Sequence, residues 1–120
     1  MYRRGDVVLV NYPFVTEDGV QQKLRPALVI SDPNAPRRFP DDVMLAAMTS
    51  QHVDHLMPNE VMVKASGPDF PSTGLKVTSL VRLDFLMTVP SFLVRKAIGR
   101  LSPRQMTGVD ECSKRSMGLK

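Results

Sequence analysis

Hydrophobic and polar positions along this chain predict six short β-strands followed by one helix. Apolar and β-branched residues form short runs, several of which alternate with polar residues, and segments rich in Pro, Gly, Asn and Asp separate the runs. Short strands divided by turn signals are typical of a small, mainly β barrel or sandwich. The predicted strands are residues 7–12, 26–31, 43–49, 61–65, 79–88 and 94–101.

Turn signals divide the first half of the chain. Pro13 lacks the N–H that a strand ladder uses, so we expect the first strand to end there. Glu17-Asp18-Gly19 is a turn signal and predicts that the first two strands pair as a hairpin across residues 14–23. Residues 32–40 contain three prolines, which excludes a helix interior or a central strand.

The fifth predicted strand, residues 79–88, has the clearest alternation. A period of two places one set of side chains on one face of the sheet and the other set on the opposite face. The first face carries Val81, Leu83, Phe85 and Met87, and the second carries Leu80, Arg82, Asp84 and Leu86.

The C-terminal segment begins with the helix signal Ser102-Pro103, an N-cap serine followed by proline at the first helical position. A weak apolar stripe at helical spacing follows, so we predict a C-terminal helix. Gly108 lies inside it and lowers helix stability by about 1 kcal/mol relative to alanine. The stripe consists of Met106, Val109 and Cys112 or Ser113.

Composition predicts one globular domain over residues 1–120, because 42% of the residues are hydrophobic and 23% are charged. The single cysteine, Cys112, gives no disulfide framework, and we expect a buried structural thiol. No apolar stretch approaches the roughly 20 residues that span a bilayer, and the N-terminus lacks the apolar region of a signal peptide. We therefore expect a cytoplasmic protein that does not bind a membrane.

The net charge of +4 is distributed unevenly. Residues 1–60 contain 6 Lys/Arg and 8 Asp/Glu, and residues 61–120 contain 10 and 4, so the halves carry −2 and +6. A basic half is compatible with nucleic-acid binding, because Lys and Arg contacts to phosphate supply most of the non-specific affinity. A solvated basic face would give the same charge, so charge alone does not decide.

Arg82 and Asp84 are two residues apart on the fifth strand, so their side chains leave the same face about 7 Å apart. They form a structural ion pair, or they flank a phosphodiester. In the second case Asp84 accepts a proton from a ribose 2′-hydroxyl, and Arg82 stabilises negative charge on the phosphorane. Arginine stays protonated at neutral pH, which suits electrostatic stabilisation rather than acid catalysis. The spacing leaves both interpretations open.

Two further segments are candidates for phosphate or RNA contacts. Arg25 precedes Pro26, which holds it extended; this suits bidentate phosphate binding and equally a surface arginine. Thr49-Ser50-Gln51 ends the third strand with three hydrogen-bonding side chains, which is also typical of a polar turn. His52 and His55 have no third ligand at a convincing spacing, so we predict neither a metal site nor a cofactor.

Six segments, in order along nearly the whole chain, resemble the MazF/PemK family of toxin endoribonucleases from bacterial toxin–antitoxin modules. They include the Arg25-Pro26 pair, the strand-ending Thr49-Ser50 and the Arg82-Leu83-Asp84 motif. The loop before Arg25 departs from the family's usual Gly-Ser-Glu-Gln-like run, which leaves the cut sequence open. The resembling segments are residues 4–10, 23–30, 46–50, 73–75, 79–84 and 98–102.

The resemblance implies an SH3-like β-barrel with short helices that forms a homodimer and binds a cognate antitoxin. It implies metal-independent, sequence-selective cleavage of single-stranded mRNA, in which the 2′-hydroxyl attacks the adjacent phosphate and leaves a 2′,3′-cyclic phosphate. It assigns cleavage to Arg25, Thr49, Arg82 and Asp84. We place further RNA contacts at Ser50, Gln51, Gln22, Lys23 and Lys76.

Two alternatives to the nuclease remain. One is a non-enzymatic toxin of the CcdB type, which resembles this architecture but binds gyrase through its C-terminal residues. The other is an inactive toxin-like protein that binds only the antitoxin. The combination of Arg25, Thr49, Arg82 and Asp84 favours the nuclease, because a gyrase binder does not need these side chains.

Overall fold

Six antiparallel strands form one sheet in the order β4-β5-β3-β2-β1-β6, and a C-terminal helix packs against β4 and β5. The computed structural model describes the backbone of residues 1–120 and all side chains except those of residues 12–16 and 20–22. The predicted mainly β fold with a C-terminal helix is confirmed. The elements are β1 (Asp6–Thr16), β2 (Gly19–Val29), β3 (Asp42–Thr49), β4 (Glu60–Val63), a 3₁₀ turn (Pro71–Thr73), β5 (Ser79–Pro90), a second 3₁₀ turn (Ser91–Leu93), β6 (Val94–Arg100) and α1 (Pro103–Ser116).

The β1–β2 hairpin is longer than the sequence predicts. The pair Thr16↔Gly19 closes the expected turn, and Gly19 adopts φ +107°, a left-handed conformation that favours glycine. The expected end of β1 at Pro13 is wrong, because the strand continues to Thr16. β1 pairs with β6 only as far as Val10, so the β6 side of β1 forms no ladder at Pro13. The missing N–H of Pro13 therefore costs no hydrogen bond on that side.

Hydrophobic side chains are buried on both faces of the sheet, because neighbouring residues of β1 point in opposite directions. Val7 belongs to a cluster that includes Leu28, Val81 and the helix residues Val109 and Cys112. On the other face Val8 and Val10 pack with a second group of buried residues. Burial of each such side chain contributes about 1.5–3 kcal/mol to folding. The second group consists of Ala27, Val29, Val43, Leu45, Val89 and Val94.

The helix α1 begins where the sequence predicts. Ser102 Oγ accepts a hydrogen bond from the Gln105 backbone N–H (3.1 Å), and Gln105 Oε1 accepts one from the Ser102 N–H (2.8 Å). This capping box satisfies two N–H groups that the first turn would otherwise leave without a partner. None of the helices within the described residues is long and apolar enough to cross a membrane.

Two glycines allow the 3₁₀ turn Pro71–Thr73 to lie against β6. A Cβ on Gly74 would stand 2.0 Å from the carbonyl oxygen of Ile98, and one on Gly99 would stand 2.3 Å from the carbonyl carbon of Thr73. Gly74 also has φ +75°. Any side chain at either position would separate the two segments, so this contact determines where the loop after Gly74 lies.

A bulge in β5 corrects the predicted alternation. Leu86 pairs with Ala46 of β3, but the next β3 residue, Ala47, pairs with Arg82, so residues 83–85 have no β3 partner. The Leu83 N–H instead donates to the carbonyl oxygen of Asn59 (3.0 Å). Leu83 is buried, whereas Phe85, which strict alternation places on the same face as Leu83, is 41% exposed. A bulge redirects side chains in this way.

Candidate functional site

The β2–β3 ladder stops at the pair Ala27↔Ala47, and a groove opens beyond it. Pro26 has no N–H with which to extend the ladder. Continued by two positions, the same register would set Arg25 opposite Thr49. The two strands separate there instead, and both side chains line the space between them.

Three adjoining clefts, which all contain Thr49, make up this groove. The central cleft, of about 200 Å³, is lined by Arg25, Ala47, Met48, Thr49, Gln51, Arg82 and Phe85. The lysine cleft, of about 410 Å³, is lined by Leu9, Arg25, Pro26, Met48, Thr49, Ser50, Gly74, Leu75, Lys76, Val77, Ser79, Lys96 and Ile98. The histidine cleft, of about 420 Å³, is lined by Thr49, Gln51, His52, His55, Met57, Glu60, Leu80 and Arg82.

Arg82 is held by a carboxylate and an aromatic ring. Its Nε and Nη2 atoms donate to the two carboxylate oxygens of Asp84 (3.2 and 3.0 Å), a bidentate arrangement. Its guanidinium carbon lies 5.3 Å from the centroid of the Phe85 ring, within cation–π range. Oε2 of Glu60, the cross-strand neighbour of Arg82, lies 3.9 Å from Arg82 Nε. These contacts fix the direction of the guanidinium at the wall of the groove.

Thr49 ends β3 at the centre of the groove. Its Oγ1 accepts a hydrogen bond from the backbone N–H of Gln51 (3.1 Å), which orients the hydroxyl. Accepting this bond does not use the hydroxyl proton, so Thr49 can still donate to a ligand oxygen. A threonine at a strand end, beside an arginine, is suited to hold an anionic oxygen.

A larger cleft, of about 480 Å³, lies near the N-terminus and contains none of these residues. Arg37 lines it, and its Nη2 donates to the carbonyl oxygen of Pro40 (2.7 Å). Asp41 and Asp42 line the same cleft and offset its positive charge. The groove, with two arginines and two lysines on its walls, is the better site for an anion.

Comparison with known proteins decides the family. Residues 3–117 match the family of PemK-like, MazF-like toxins of type II toxin–antitoxin systems. The chain belongs to this family. No curated protein sequence matches it closely enough to serve as a relative.

Solved structures share the MazF fold at low sequence identity. The Mycobacterium tuberculosis toxin MazF-mt6 is 22% identical with a TM-score of 0.70, and the match covers 96% of this chain and 98% of that one. A mycobacterial endoribonuclease solved with its cognate antitoxin is 21% identical with a TM-score of 0.72, over 100% and 98% of the two chains. MazE–MazF from Deinococcus radiodurans gives 20% identity and a TM-score of 0.67, over 99% and 97%.

Most residues predicted from the MazF/PemK resemblance meet at the groove. Arg25, Thr49 and Arg82 line its central cleft, and the Asp84 carboxylate accepts hydrogen bonds from Arg82. Among the predicted RNA contacts, Gln51 lines the central cleft, and Ser50 and Lys76 line the lysine cleft. Lys23 is exposed on β2, two residues before Arg25. The side chain of Gln22 lies outside the described residues.

Among the groove residues that sequence reasoning missed are a cation, Lys96, and an aromatic ring, Phe85. Lys96 lines the lysine cleft from β6, together with Ile98 two positions further along the same strand. Phe85 had no signal in the sequence, because strict alternation places it on the face opposite Arg82. Its position follows from the bulge in β5.

Charge at the groove is predominantly positive. Arg25, Arg82, Lys76 and Lys96 contribute four cations, against the carboxylates Asp84 and Glu60. Within the described part of the chain, no group of three or more His, Cys, Asp or Glu side chains could hold a metal ion. The excess of cations on the walls of the groove suits it to bind a polyanion such as a phosphodiester chain.

Proposed function

We propose that this toxin is an endoribonuclease that binds single-stranded mRNA in the groove and cleaves it. The proposal depends on one observation, the convergence of Arg25, Thr49 and the Arg82–Asp84 pair on a single cleft. A basic groove alone would support binding only. A carboxylate bonded to Arg82, in a groove that Arg25 also lines, adds a proton acceptor next to the position of a phosphate.

In the proposed reaction the substrate supplies its own nucleophile. Asp84 accepts the proton of a ribose 2′-hydroxyl, and that oxygen attacks the adjacent phosphorus. Arg82 and Arg25 stabilise the negative charge that develops on the phosphorane, and Thr49 donates to one of its oxygens. The P–O5′ bond breaks, water protonates the leaving oxygen, and the products carry a 2′,3′-cyclic phosphate and a 5′-hydroxyl. The proposed reaction uses no metal, because the substrate supplies the nucleophile and the guanidinium groups of Arg82 and Arg25 stabilise the phosphorane charge.

The proposed partners follow from the same surface. An antitoxin with an acidic, disordered segment would lie across the groove and compete with RNA for Arg25 and Arg82, folding as it binds. The similar solved structures include a mycobacterial endoribonuclease in complex with its cognate antitoxin and MazE–MazF from Deinococcus radiodurans. We further propose a homodimer acting in the cytoplasm, where mRNA is present; analytical ultracentrifugation of the purified chain measures its oligomeric state.

The test is cleavage of a long single-stranded RNA in EDTA by the wild type and by the Arg25→Ala and Asp84→Asn variants. We expect wild-type fragments with 5′-hydroxyl ends. Asp84→Asn should lower the rate by roughly 10²–10⁴-fold while sparing RNA binding, since it removes the proton acceptor. Arg25→Ala should weaken binding by roughly 10- to 100-fold, since it removes charge-assisted hydrogen bonds to phosphate.

The matched control is Arg38→Ala, which removes an exposed arginine from the segment between β2 and β3 and should leave cleavage unchanged. Circular dichroism checks that each variant folds. A 2′-deoxy substrate should bind and remain uncut. If the wild type leaves RNA intact at saturating concentration, the proposed nuclease activity is wrong. The alternatives are then a non-enzymatic gyrase-binding toxin and an inactive antitoxin binder.

A further inference from the structure

Phe85 lies in the groove for a structural reason. Residues 83–85 form the bulge in β5 and pair with no residue of β3. As a result Phe85 and Arg82, three positions apart, both line the central cleft with Arg25 and Thr49. A regular strand would have pointed the two side chains to opposite faces of the sheet.

The ring is exposed where its neighbours are polar. Phe85 is 41% exposed, and Arg25, Thr49, Gln51 and Arg82 share its cleft. Although Arg82 lies over the ring, part of the apolar surface of Phe85 remains exposed to solvent. It is suited to a ligand that combines a flat apolar surface with a negative charge, and a nucleotide has both.

We propose that Phe85 is the surface on which one base of the bound RNA stacks, next to the phosphate held by Arg82. The guanidinium carbon of Arg82 is 5.3 Å from the ring centroid, so a base on Phe85 stays close to that charge. Aromatic rings and arginine planes are the usual stacking partners of unpaired bases. This inference rests on the proposed RNA function and adds a determinant of affinity at one nucleotide position.

Stacking has a recognisable sequence preference. A phenyl ring offers a π-face and no hydrogen bonds, so it accepts every base and favours those that stack over the larger area. We therefore expect Phe85 to favour purines over pyrimidines at this position. The hydrogen-bonding pattern on the edge of the base should have little effect on affinity at this position.

The test is an abasic scan of a short RNA that contains the mapped cut site, made uncleavable by a 2′-O-methyl group. Removing the base at one position should weaken wild-type binding by roughly 5- to 150-fold, the range for loss of one stacked base. In Phe85→Leu that penalty should disappear, whereas in Phe85→Trp, with its larger face, it should persist or grow. Phe92→Leu, at a phenylalanine that is 79% exposed in the second 3₁₀ turn, is the matched control.

The scan separates stacking from an indirect effect on Arg82. If Phe85 acts only through its cation–π contact with Arg82, Phe85→Leu should bind every RNA more weakly by the same factor, and the abasic penalty should stay intact. That result would overturn the proposal. Wild-type affinity in Phe85→Leu, or loss of the abasic penalty in Phe85→Trp, would also overturn it. If the wild type cleaves RNA in these cases, the proposed function survives. If the wild type neither binds nor cleaves RNA, both fail.

Discussion

Cys112 is held as a neutral thiol by the core. The side chain is fully buried on α1, and its Sγ donates to the carbonyl oxygen of Pro58 (3.6 Å). Burial raises the pKa of the thiol, and the nearby Arg115 only partly offsets this effect. A thiol of this kind packs as a small apolar side chain and does not act as a nucleophile.

The raised pKa predicts a stability change at alkaline pH. The unfolded chain releases the Cys112 proton at a lower pH than the folded chain does. The free energy of unfolding therefore falls as pH rises above about 8.5, the ordinary cysteine pKa, towards the native pKa. Urea unfolding at several pH values measures this fall. Cys112→Ala should flatten it, and an equally steep fall in that variant would contradict the assignment.

At the residue scale, the positions of candidate residues could be predicted from the sequence where the signal was local. Arg25 precedes a proline and Thr49 ends a strand, and both features depend only on neighbouring residues. Arg82 and Asp84 form the expected pair on one face. Phe85 could not be assigned, because the bulge arises from pairing with β3 and from the Leu83–Asn59 hydrogen bond, which no local pattern encodes.

At the scale of elements, α1 contains a glycine whose replacement should stabilise the helix. Gly108 lies inside the helix, and a Cβ there would meet only Val61 Cγ1 at 3.9 Å, an ordinary contact. Gly108→Ala should therefore raise the free energy of unfolding by about 0.5–1 kcal/mol, because alanine restricts the unfolded chain and favours the helix. Urea denaturation monitored by circular dichroism measures the change.

The matching destabilising variant is Gly99→Ala on β6. Its Cβ would stand 2.3 Å from the carbonyl carbon of Thr73, and backbone cannot move aside as a flexible side chain can. We expect a loss of about 1–3 kcal/mol, the usual cost of overpacking. RNA binding should weaken too, since the displaced loop carries Lys76. Unchanged stability in Gly99→Ala would show that the turn Pro71–Thr73 does not need this close contact.

Element boundaries were predictable where they depend on capping and failed where they depend on partners. The Ser102-Pro103 signal located the start of α1, because a capping box is a local structure. Pro13 was expected to end β1, yet the strand extends to Thr16. Whether a proline is tolerated depends on which edge of the strand is paired, and that is a property of the whole sheet.

On the scale of the whole molecule, the charge asymmetry of the sequence does not correspond to two separate faces. The strand order places the three first-half strands, β3, β2 and β1, between β5 on one side and β6 on the other, so strands from the second half flank them. The groove accordingly takes Arg25 and Thr49 from the first half and Lys76, Arg82 and Lys96 from the second. The excess charge of the second half reaches the groove only because the sheet brings these elements together.

This arrangement predicts a specific salt dependence of RNA binding. If Arg25, Arg82, Lys76 and Lys96 each meet one phosphate, the logarithm of affinity should fall with the logarithm of salt concentration with a slope of about −3. Lys96→Ala removes one contact and should change the slope to about −2. Fluorescence anisotropy with a 2′-O-methyl RNA, which cannot be cleaved, measures both slopes.

Net charge alone would predict a different result, and Lys114→Ala distinguishes the two explanations. Lys114 is exposed in the last turn of α1 and lines none of the three clefts of the groove. Its loss lowers the net charge as much as the loss of Lys96 does, but it releases no counterion from bound phosphate. The Lys114→Ala slope should therefore equal that of the wild type. Equal slopes for both variants would mean that RNA senses the overall charge of the protein, and Lys96 would then have no contact with its backbone.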